Sequence, residues 1–228
     1  MPTMISKKRA DTSSNTTAPP APYVLTPTGE FNGNDGDWST FWINVGDSDG
    51  TGHGQNFKVL ISTSSALIIV PGHSEVCDSN CAEGRGLATY NSAIPDGLVE
   101  GKSWKLVGTY ELKLPEWWFN KTLTGKYGTD NVGLGQSSAQ SLILTDQYVV
   151  QNLDLELYMG LFGLAYGDVA TSNSGSSKPP FLTNFFASNQ IPSKSFGYTA
   201  GAKYSKWMPF NLYIHARFVT NTLATSFL

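Results

Sequence analysis

The sequence from residue 38 onward consists of short apolar segments that alternate with turns rich in glycine, aspartate and proline. Residues 38–46 alternate apolar and polar side chains, as a half-buried strand does, and residues 56–61 repeat this pattern after a Gly/Asp-rich turn. The two segments predict a β-hairpin with a long loop. Further strands are predicted at residues 66–70, 103–114, 127–134, 141–150, 153–157 and 191–198.

The amino-acid composition favours a mostly β fold. Charged residues make up only 14% of the 228 residues, whereas glycine and aromatic residues are plentiful. With 40% hydrophobic residues the chain can bury one substantial core, so we expect a single folded domain. One short helix is predicted at residues 180–189, and its inward-facing residues are Phe181, Leu182, Phe185 and Phe186.

The N-terminal part of the sequence departs from this pattern. Residues 1–30 are rich in Ser, Thr, Pro and Ala and lack apolar periodicity, which predicts a disordered or extended segment. No apolar stretch follows Lys7, Lys8 and Arg9, so no signal peptide is predicted. No run reaches the roughly 18 apolar residues of a transmembrane helix. The sequence therefore leaves the localisation open.

Charge and cysteine spacing limit the classes of ligand. The net charge of −3 offers no basic surface, so nucleic-acid binding is not expected. Asp47 and Asp49 are spaced as in a calcium loop but lack the downstream glutamate, so we predict a solvated turn and neither a metal nor a cofactor. Cys77 and Cys81 have no matching second pair of ligands, which favours a small disulfide loop over a zinc site in an oxidising compartment.

Two short motifs stand out among the predicted strands. The apolar residues 59–61 lead into the polar turn Ser62-Thr63-Ser64-Ser65, and the motif Leu161-Phe162-Gly163 follows much later in the chain. Two apolar residues followed by glycine are what a strand needs when another backbone passes close above it. Tyr110 lies between the two motifs, in a predicted hairpin formed by residues 103–114 and 127–134.

In this order, the motifs resemble the N-terminal lobe of a pepsin-like aspartic peptidase, over roughly residues 38–204. The resemblance implies one mostly β lobe of a fold that has two lobes in the family, so we expect an incomplete fold. The implied domains are a disordered segment at residues 1–30, the pepsin-like lobe at residues 31–204 and an unmatched C-terminal tail at residues 205–228. The family is usually secreted or vacuolar.

The resemblance assigns roles to single residues. Ser62 occupies the position of the family's catalytic aspartate, and Thr63, Ser64 and Ser65 complete the turn, which reads Asp-Thr-Gly-Ser in the family. A divergent fungal branch of the family looks similar there. Tyr110 is the candidate for the flap tyrosine that covers the substrate, and the alternative is an ordinary cross-strand aromatic residue. The Leu161-Phe162-Gly163 strand is expected to support the turn.

This arrangement predicts a protein without catalytic residues. Aspartic peptidases need two carboxylates that share one proton, and a serine hydroxyl at position 62 cannot replace either of them. No Asp-Thr-Gly or Asp-Ser-Gly triplet occurs among the 228 residues. We therefore expect an inactive pseudo-peptidase or a truncated fragment.

The C-terminal tail carries one further pattern. After Tyr204 the sequence lacks the glycine-rich hairpin that the family has in this place. Its apolar residues are spaced mostly two apart, as on one face of a strand, and are Phe210, Leu212, Ile214 and Phe218. The tail is therefore predicted to cover apolar surface that a second lobe would otherwise bury.

Several functional interpretations remain open. One is a binding role toward a peptide or protein ligand, through the aromatic residues 117–119. Another is an acid endopeptidase whose second lobe is supplied by a partner or lies outside this sequence, and a third is a fragment without a selected function. A serine hydrolase built on Ser62, His53 and His73 is disfavoured, because no Gly-x-Ser-x-Gly motif surrounds Ser62. The sequence does not predict the oligomeric state.

Overall fold

The structure is a computed structural model that describes residues 19–32, 38–47, 54–73, 77–87, 97–113, 122–136, 142–155, 157–170, 177–199 and 211–214. The strands are β1 (Tyr23–Leu25), β2 (Pro27–Asn32), β3 (Trp38–Val45), β4 (Gln55–Ser62), β5 (Ile68–Pro71), β6 (Lys105–Lys113), β7 (Thr122–Leu134), β8 (Ile143–Asn152), β9 (Gly160–Gly163), β10 (Val169–Ala170), β11 (Ser177–Lys178), β12 (Gly197–Thr199) and β13 (Asn211–Ile214). The helices are α1 (Ser79–Gly84) and α2 (Phe181–Ala187). The fold is mostly β, as the composition predicts.

Eight strands form one mixed sheet that closes on itself. Their order is β2-β3-β4-β9-β5-β8-β7-β6, and β3 also pairs with β7. The strands from β3 to β7 in this order therefore make a closed barrel, to which β2 and β6 are added at the sides. The pairs β4–β9 and β5–β8 are parallel, whereas the other pairs are antiparallel.

The alternation of side chains along the strands divides the core into two clusters. Ile68 and Phe162 face the main core, which α2 covers with Phe181, Leu182 and Phe185. Their neighbours Ile69 and Leu161 face the opposite side, where they pack in a second cluster with Tyr127, Tyr148, Val150, Leu157 and Val169. Strands β5 and β9 are thus buried on both faces, which explains their unbroken apolar sequences.

The N-terminal segment begins its pairing earlier than the predicted domain boundary. β1 pairs with β13 and β2 pairs with β3, so the described part of the segment predicted to be disordered or extended consists largely of extended, paired strands. Tyr23 packs edge-on against Phe185, and its hydroxyl donates to the carbonyl oxygen of Leu134 at 3.2 Å. Contacts with residues so far along the chain produce no apolar periodicity in residues 19–32, so the sequence pattern did not predict them.

Part of the predicted tail is also a strand. β13 lies between β1 and β12 in a three-stranded antiparallel sheet, with the register Leu25↔Leu212 and Tyr198↔Leu212. Residues 211–214 therefore pair with the rest of the fold, and Leu212 and Ile214 lie on a strand, as their spacing predicts. Phe210 and Phe218 lie outside the described residues.

Three predictions of local structure need correction. β8 ends at Asn152, and the described residues 153–155 and 157 belong to no strand, because the Asn152 side-chain amide donates to the carbonyl oxygens of Asp154 and Leu157 and closes a turn. Of residues 191–198, only the last two belong to a strand. Phe186 is exposed, because Phe181, Leu182 and Phe185 already form the inward face of α2.

The two cysteines form the predicted disulfide. Cys77 and Cys81 are joined at the first turn of α1, a helix that the sequence pattern did not predict. Asp78 caps this helix, and its carboxylate accepts a hydrogen bond from the Cys81 backbone amide at 2.9 Å. Among the described helices, none combines the length and the apolar character needed to cross a membrane.

Candidate functional site

The candidate site is the turn between β4 and β5. β4 runs parallel to β9, and the pairing continues to the last residue of each strand, with Val59 opposite Gly160 and Ser62 opposite Gly163. β5 then returns antiparallel to β9 on the other side, with Ile69 opposite Leu161. β9 therefore lies between the two strands that carry the turn, and the turn must cross above its end.

Backbone hydrogen bonds fix the turn to the segment that follows β9. The Leu164 amide donates to the Ser62 carbonyl oxygen at 2.8 Å, and the Ala165 amide donates to the Ser65 carbonyl oxygen at 3.0 Å. The Gly163 amide donates to the Leu67 carbonyl oxygen, also at 3.0 Å. Both ends of the turn are thus held by one short segment.

Gly163 allows the turn to approach this closely. A Cβ atom at this position would lie 2.5 Å from the Ser65 carbonyl oxygen and 2.6 Å from both the Ala66 carbonyl carbon and the Leu67 carbonyl oxygen. All three contacts are with backbone atoms, which cannot rotate away. This is the close backbone approach that the Leu161-Phe162-Gly163 pattern predicts.

The turn presents hydroxyl groups. Ser62 is half-buried, whereas Thr63 and Ser64 are exposed, and the Ser62 and Ser64 hydroxyl oxygens lie 3.3 Å apart. The Ser65 hydroxyl oxygen accepts a hydrogen bond from the Leu67 amide at 3.1 Å, which stabilises the turn. These side chains can donate and accept hydrogen bonds, but they have no ionised group for acid–base catalysis.

Tyr110, the flap candidate, lies across a glycine of the neighbouring strand. It is opposite Gly125 in the β6–β7 register, and its ring covers the place where a Gly125 side chain would be, with Cε1 2.7 Å from that Cβ position. Tyr110 packs against the second core cluster, which Ala66 and Leu67 of the turn also contact. The hairpin and the turn therefore share one apolar base.

The surroundings of the Tyr110 hydroxyl favour its neutral form. It is buried and has no hydrogen-bond partner in the described part of the chain. Burial, and to a smaller extent the negative charge of Asp154, raises the pKa of Tyr110 well above its ordinary value. The phenol is thus neutral over the whole physiological range.

Of the other predicted groups, few lie among the described residues. His73 is exposed beyond β5, and His53 lies outside the described residues, as do Asp49 and the aromatic residues 117–119. Within the described ranges, no group of three His, Cys, Asp or Glu side chains is placed to hold a metal ion. The turn precedes β5 and His73 follows it, so this strand separates His73 from Ser62.

Sequence analysis missed one unusual polar residue, Asp130. It is buried on β7, at an inward position that alternates with Val132 and Leu134. A carboxylate in phase with buried apolar residues is the signal that could have identified it.

No protein-family model matches this chain, and no curated protein sequence is similar enough to count as a match. The function must therefore be inferred from the geometry of the molecule.

Proposed function

We propose that the chain is an aspartic peptidase-like lobe that binds a peptide or protein ligand without cleaving it. The observation that carries the proposal is the turn held above Gly163 between two strands that both pair with β9, with Ser62 at its first position. This geometry supports the resemblance to the pepsin-like family, in which such a turn carries a catalytic aspartate.

The absence of catalysis follows from the chemistry of the turn. An aspartic peptidase activates water with one carboxylate and protonates the substrate carbonyl with the other, so each lobe must contribute one carboxylate. Ser62 and Ser64 offer only hydroxyl groups, and each is the other's hydrogen-bond neighbour at 3.3 Å. The rival hypothesis of an endopeptidase completed by a second lobe needs a carboxylate where Ser62 lies.

The proposed binding surface is the exposed rim of the turn. Thr63 and Ser64 expose hydroxyl groups, and Tyr166, which directly follows Ala165, is 57% exposed. The Tyr166 ring lies 6.4 Å from that of Phe196. An exposed tyrosine ring that contacts a half-buried phenylalanine beside polar hydroxyls suits an extended peptide, which offers both apolar side chains and backbone hydrogen-bonding groups.

Peptidase assays test the inactive state. The purified chain should not cleave a denatured protein substrate at acid pH, and a pepstatin-type inhibitor should change nothing, because its transition-state mimic binds paired carboxylates. The double variant Ser62→Asp, Ser64→Gly should also be inactive at low concentration, because one carboxylate has no partner. Cleavage by the unmodified chain that the inhibitor abolishes would contradict the proposal.

Peptide binding tests the second half of the proposal. Fluorescence anisotropy with a panel of labelled unstructured peptides should identify binders, and Tyr166→Ser should weaken that binding several-fold. The matched control is Tyr198→Ser, because Tyr198 is 43% exposed but lies on β12. Equal binding by both variants and the unmodified chain would exclude the turn rim as the binding surface.

A further inference from the structure

Asp130 lies where the barrel closes. Up to Thr129, β7 pairs with β6, and from Val132 onward it pairs with the end of β3 at Val45. The register against β8 shifts between Asp130 and Val132. The Gly46 amide, just after β3, donates to the Asn131 carbonyl oxygen at 2.9 Å. We call this junction of β3 and β7 the barrel seam.

The Asp130 carboxylate is buried at the seam with only one of its oxygens satisfied. The residue is 1% exposed, and its Oδ1 atom accepts hydrogen bonds from the Ser103 hydroxyl and the Asn131 amide. The Oδ2 atom is buried and has no hydrogen-bond partner among the described residues. A Cβ atom added at Gly46 would lie 3.3 Å from this oxygen, so the backbone just after β3 passes close to it.

The charges around Asp130 oppose its ionisation. From the end of β3, Asp47 contributes a second negative charge. From the β6 side the contact is the uncharged Ser103, while Lys105 is engaged with Asp146 at 2.7 Å. Across β7, the residue opposite on β8 is the neutral Gln147. In the described part of the molecule, Asp130 has no cationic partner to compensate a buried negative charge.

Together, these effects raise the pKa of Asp130. Burial, the largest effect, and the Asp47 charge raise the pKa of Asp130, and the hydrogen bonds from Ser103 and Asn131 offset this only in part. The carboxyl group therefore holds its proton in the folded protein at pH values where an unfolded chain has lost it.

We propose that the protonation state of Asp130 controls how tightly the barrel seam is closed. The neutral carboxylic acid holds the end of β3, Ser103 and β7 together, and release of its proton to solvent leaves a buried charge that loosens the seam. Because β7 also carries the β6–β7 hairpin with Tyr110, the loosening extends to the base of that hairpin. The proposal does not depend on the peptidase resemblance.

The sign of the effect follows from linkage. A carboxyl group with a raised pKa in the folded state stabilises that state fully below the pKa of an unfolded aspartate, roughly 4. The stabilisation is lost as pH rises through the higher pKa of the folded state. The barrel seam should thus be tightest in acid, and each unit of pKa difference corresponds to a tenfold change in its opening equilibrium.

Hydrogen exchange of the Gly46 amide measures the seam directly. In the unmodified chain its protection factor, corrected for the intrinsic pH dependence of exchange, should fall at least several-fold as pH rises above the ordinary aspartate range. In Asp130→Asn, which mimics the neutral carboxyl group, that fall should be absent. In Asp47→Asn the fall should become smaller and move to lower pH, because one source of the raised pKa is removed.

An exposed aspartate provides the matched control. Asp168 is exposed and lies between β9 and β10, outside the barrel seam, so Asp168→Asn should keep the pH dependence of the Gly46 protection factor. If Asp130→Asn keeps it as well, the proposal is wrong. Should Asp130→Asn fail to fold, infrared spectra of the unmodified chain decide: a protonated carboxyl band must persist above the ordinary range, and its absence there overturns the proposal.

Discussion

Gly163 and the Ser65 carbonyl oxygen are so close that any side chain at position 163 would collide with the turn, with only 2.5 Å between that oxygen and the Cβ position. The contact joins β9 to the backbone of a turn that lies between β4 and β5. The conformation of the turn therefore depends on the absence of one methyl group.

Gly163→Ala should destabilise the protein strongly. The added methyl group meets three backbone atoms, so the turn must move as a whole, and overpacking of this kind costs about 3 kcal/mol. In a domain of this size that corresponds to a melting temperature lowered by about 6–12 °C. Calorimetry measures both quantities.

The control for this variant is Gly167→Ala. A Cβ atom at Gly167 would have no neighbour within 4 Å, so this substitution should leave the melting temperature within about 2 °C of the unmodified chain. If Gly163→Ala were equally harmless, the turn would not rest on β9 as the structure has it.

Tyr110→Phe should maintain or slightly raise stability. The hydroxyl group is buried without a hydrogen-bond partner in the described region, so its removal relieves a desolvation cost of about 1 kcal/mol. Tyr110→Ala should instead cost about 3 kcal/mol, because the ring over Gly125 is lost. Urea unfolding compares the two variants, and a destabilised Tyr110→Phe would indicate an unseen partner for the hydroxyl group.

The same residue should affect stability in alkali. The pKa of Tyr110 is raised by burial and by Asp154, so its contribution is complete below the ordinary tyrosine value of about 10 and is lost as pH rises above it. Unfolding free energy should fall more steeply above about pH 10 in the unmodified chain than in Tyr110→Phe. Parallel curves would mean that Tyr110 ionises without a change in stability.

The spacing of apolar residues predicted the strands and the helix that have a clear buried face. Strands β3, β4 and β5, the β6–β7 hairpin and helix α2 all coincide with apolar periodicity, and the role of Gly163 follows from its place after Leu161 and Phe162. In each case the side-chain alternation that creates the buried face is visible within a few residues.

Long-range pairing explains most of what the sequence did not predict. β1 is only three residues long and pairs with β13 near the other end of the chain. Neither strand has a sequence pattern that identifies the strand with which it pairs. The end of β8 depends on hydrogen bonds of the Asn152 side chain, which a pattern of apolar residues does not contain. Asp130 was missed because its significance lies in burial at the barrel seam.

The ion pair between the buried side chain of Lys58 and the exposed side chain of Glu30 should stabilise the N-terminal segment. Lys58 Nζ lies 2.6 Å from Glu30 Oε2 and 5.2 Å from the Trp42 ring centre, and the lysine side chain is 7% exposed. Glu30→Gln removes the partner of a buried charge and should cost about 1–3 kcal/mol, less than a fully buried pair because Glu30 is half exposed. The double variant Glu30→Gln, Lys58→Met should recover part of the loss in urea unfolding; an unchanged midpoint for Glu30→Gln would contradict the prediction.

The disulfide between Cys77 and Cys81 should make a small contribution. It closes a loop with a sequence separation of four, for which loop entropy gives about 2 kcal/mol. Cys77→Ser, Cys81→Ser should therefore lower stability modestly and keep the fold, as circular dichroism and calorimetry would detect. A variant that no longer folds would show that the bridge does more than restrict the unfolded chain.

Deletion of residues 205–228 should destabilise the protein and promote association. The deletion removes β13, the middle strand of a three-stranded sheet, and leaves the backbone groups of β1 and β12 without their pairing partner. Unpaired strand edges recruit other strands, so the shortened protein should form oligomers in a concentration-dependent manner. A milder variant, deletion of residues 215–228, keeps β13 and should stay close to the full chain. Light scattering and calorimetry distinguish the outcomes, and a monomeric 1–204 variant with an unchanged melting temperature would mean that β13 contributes nothing to the fold.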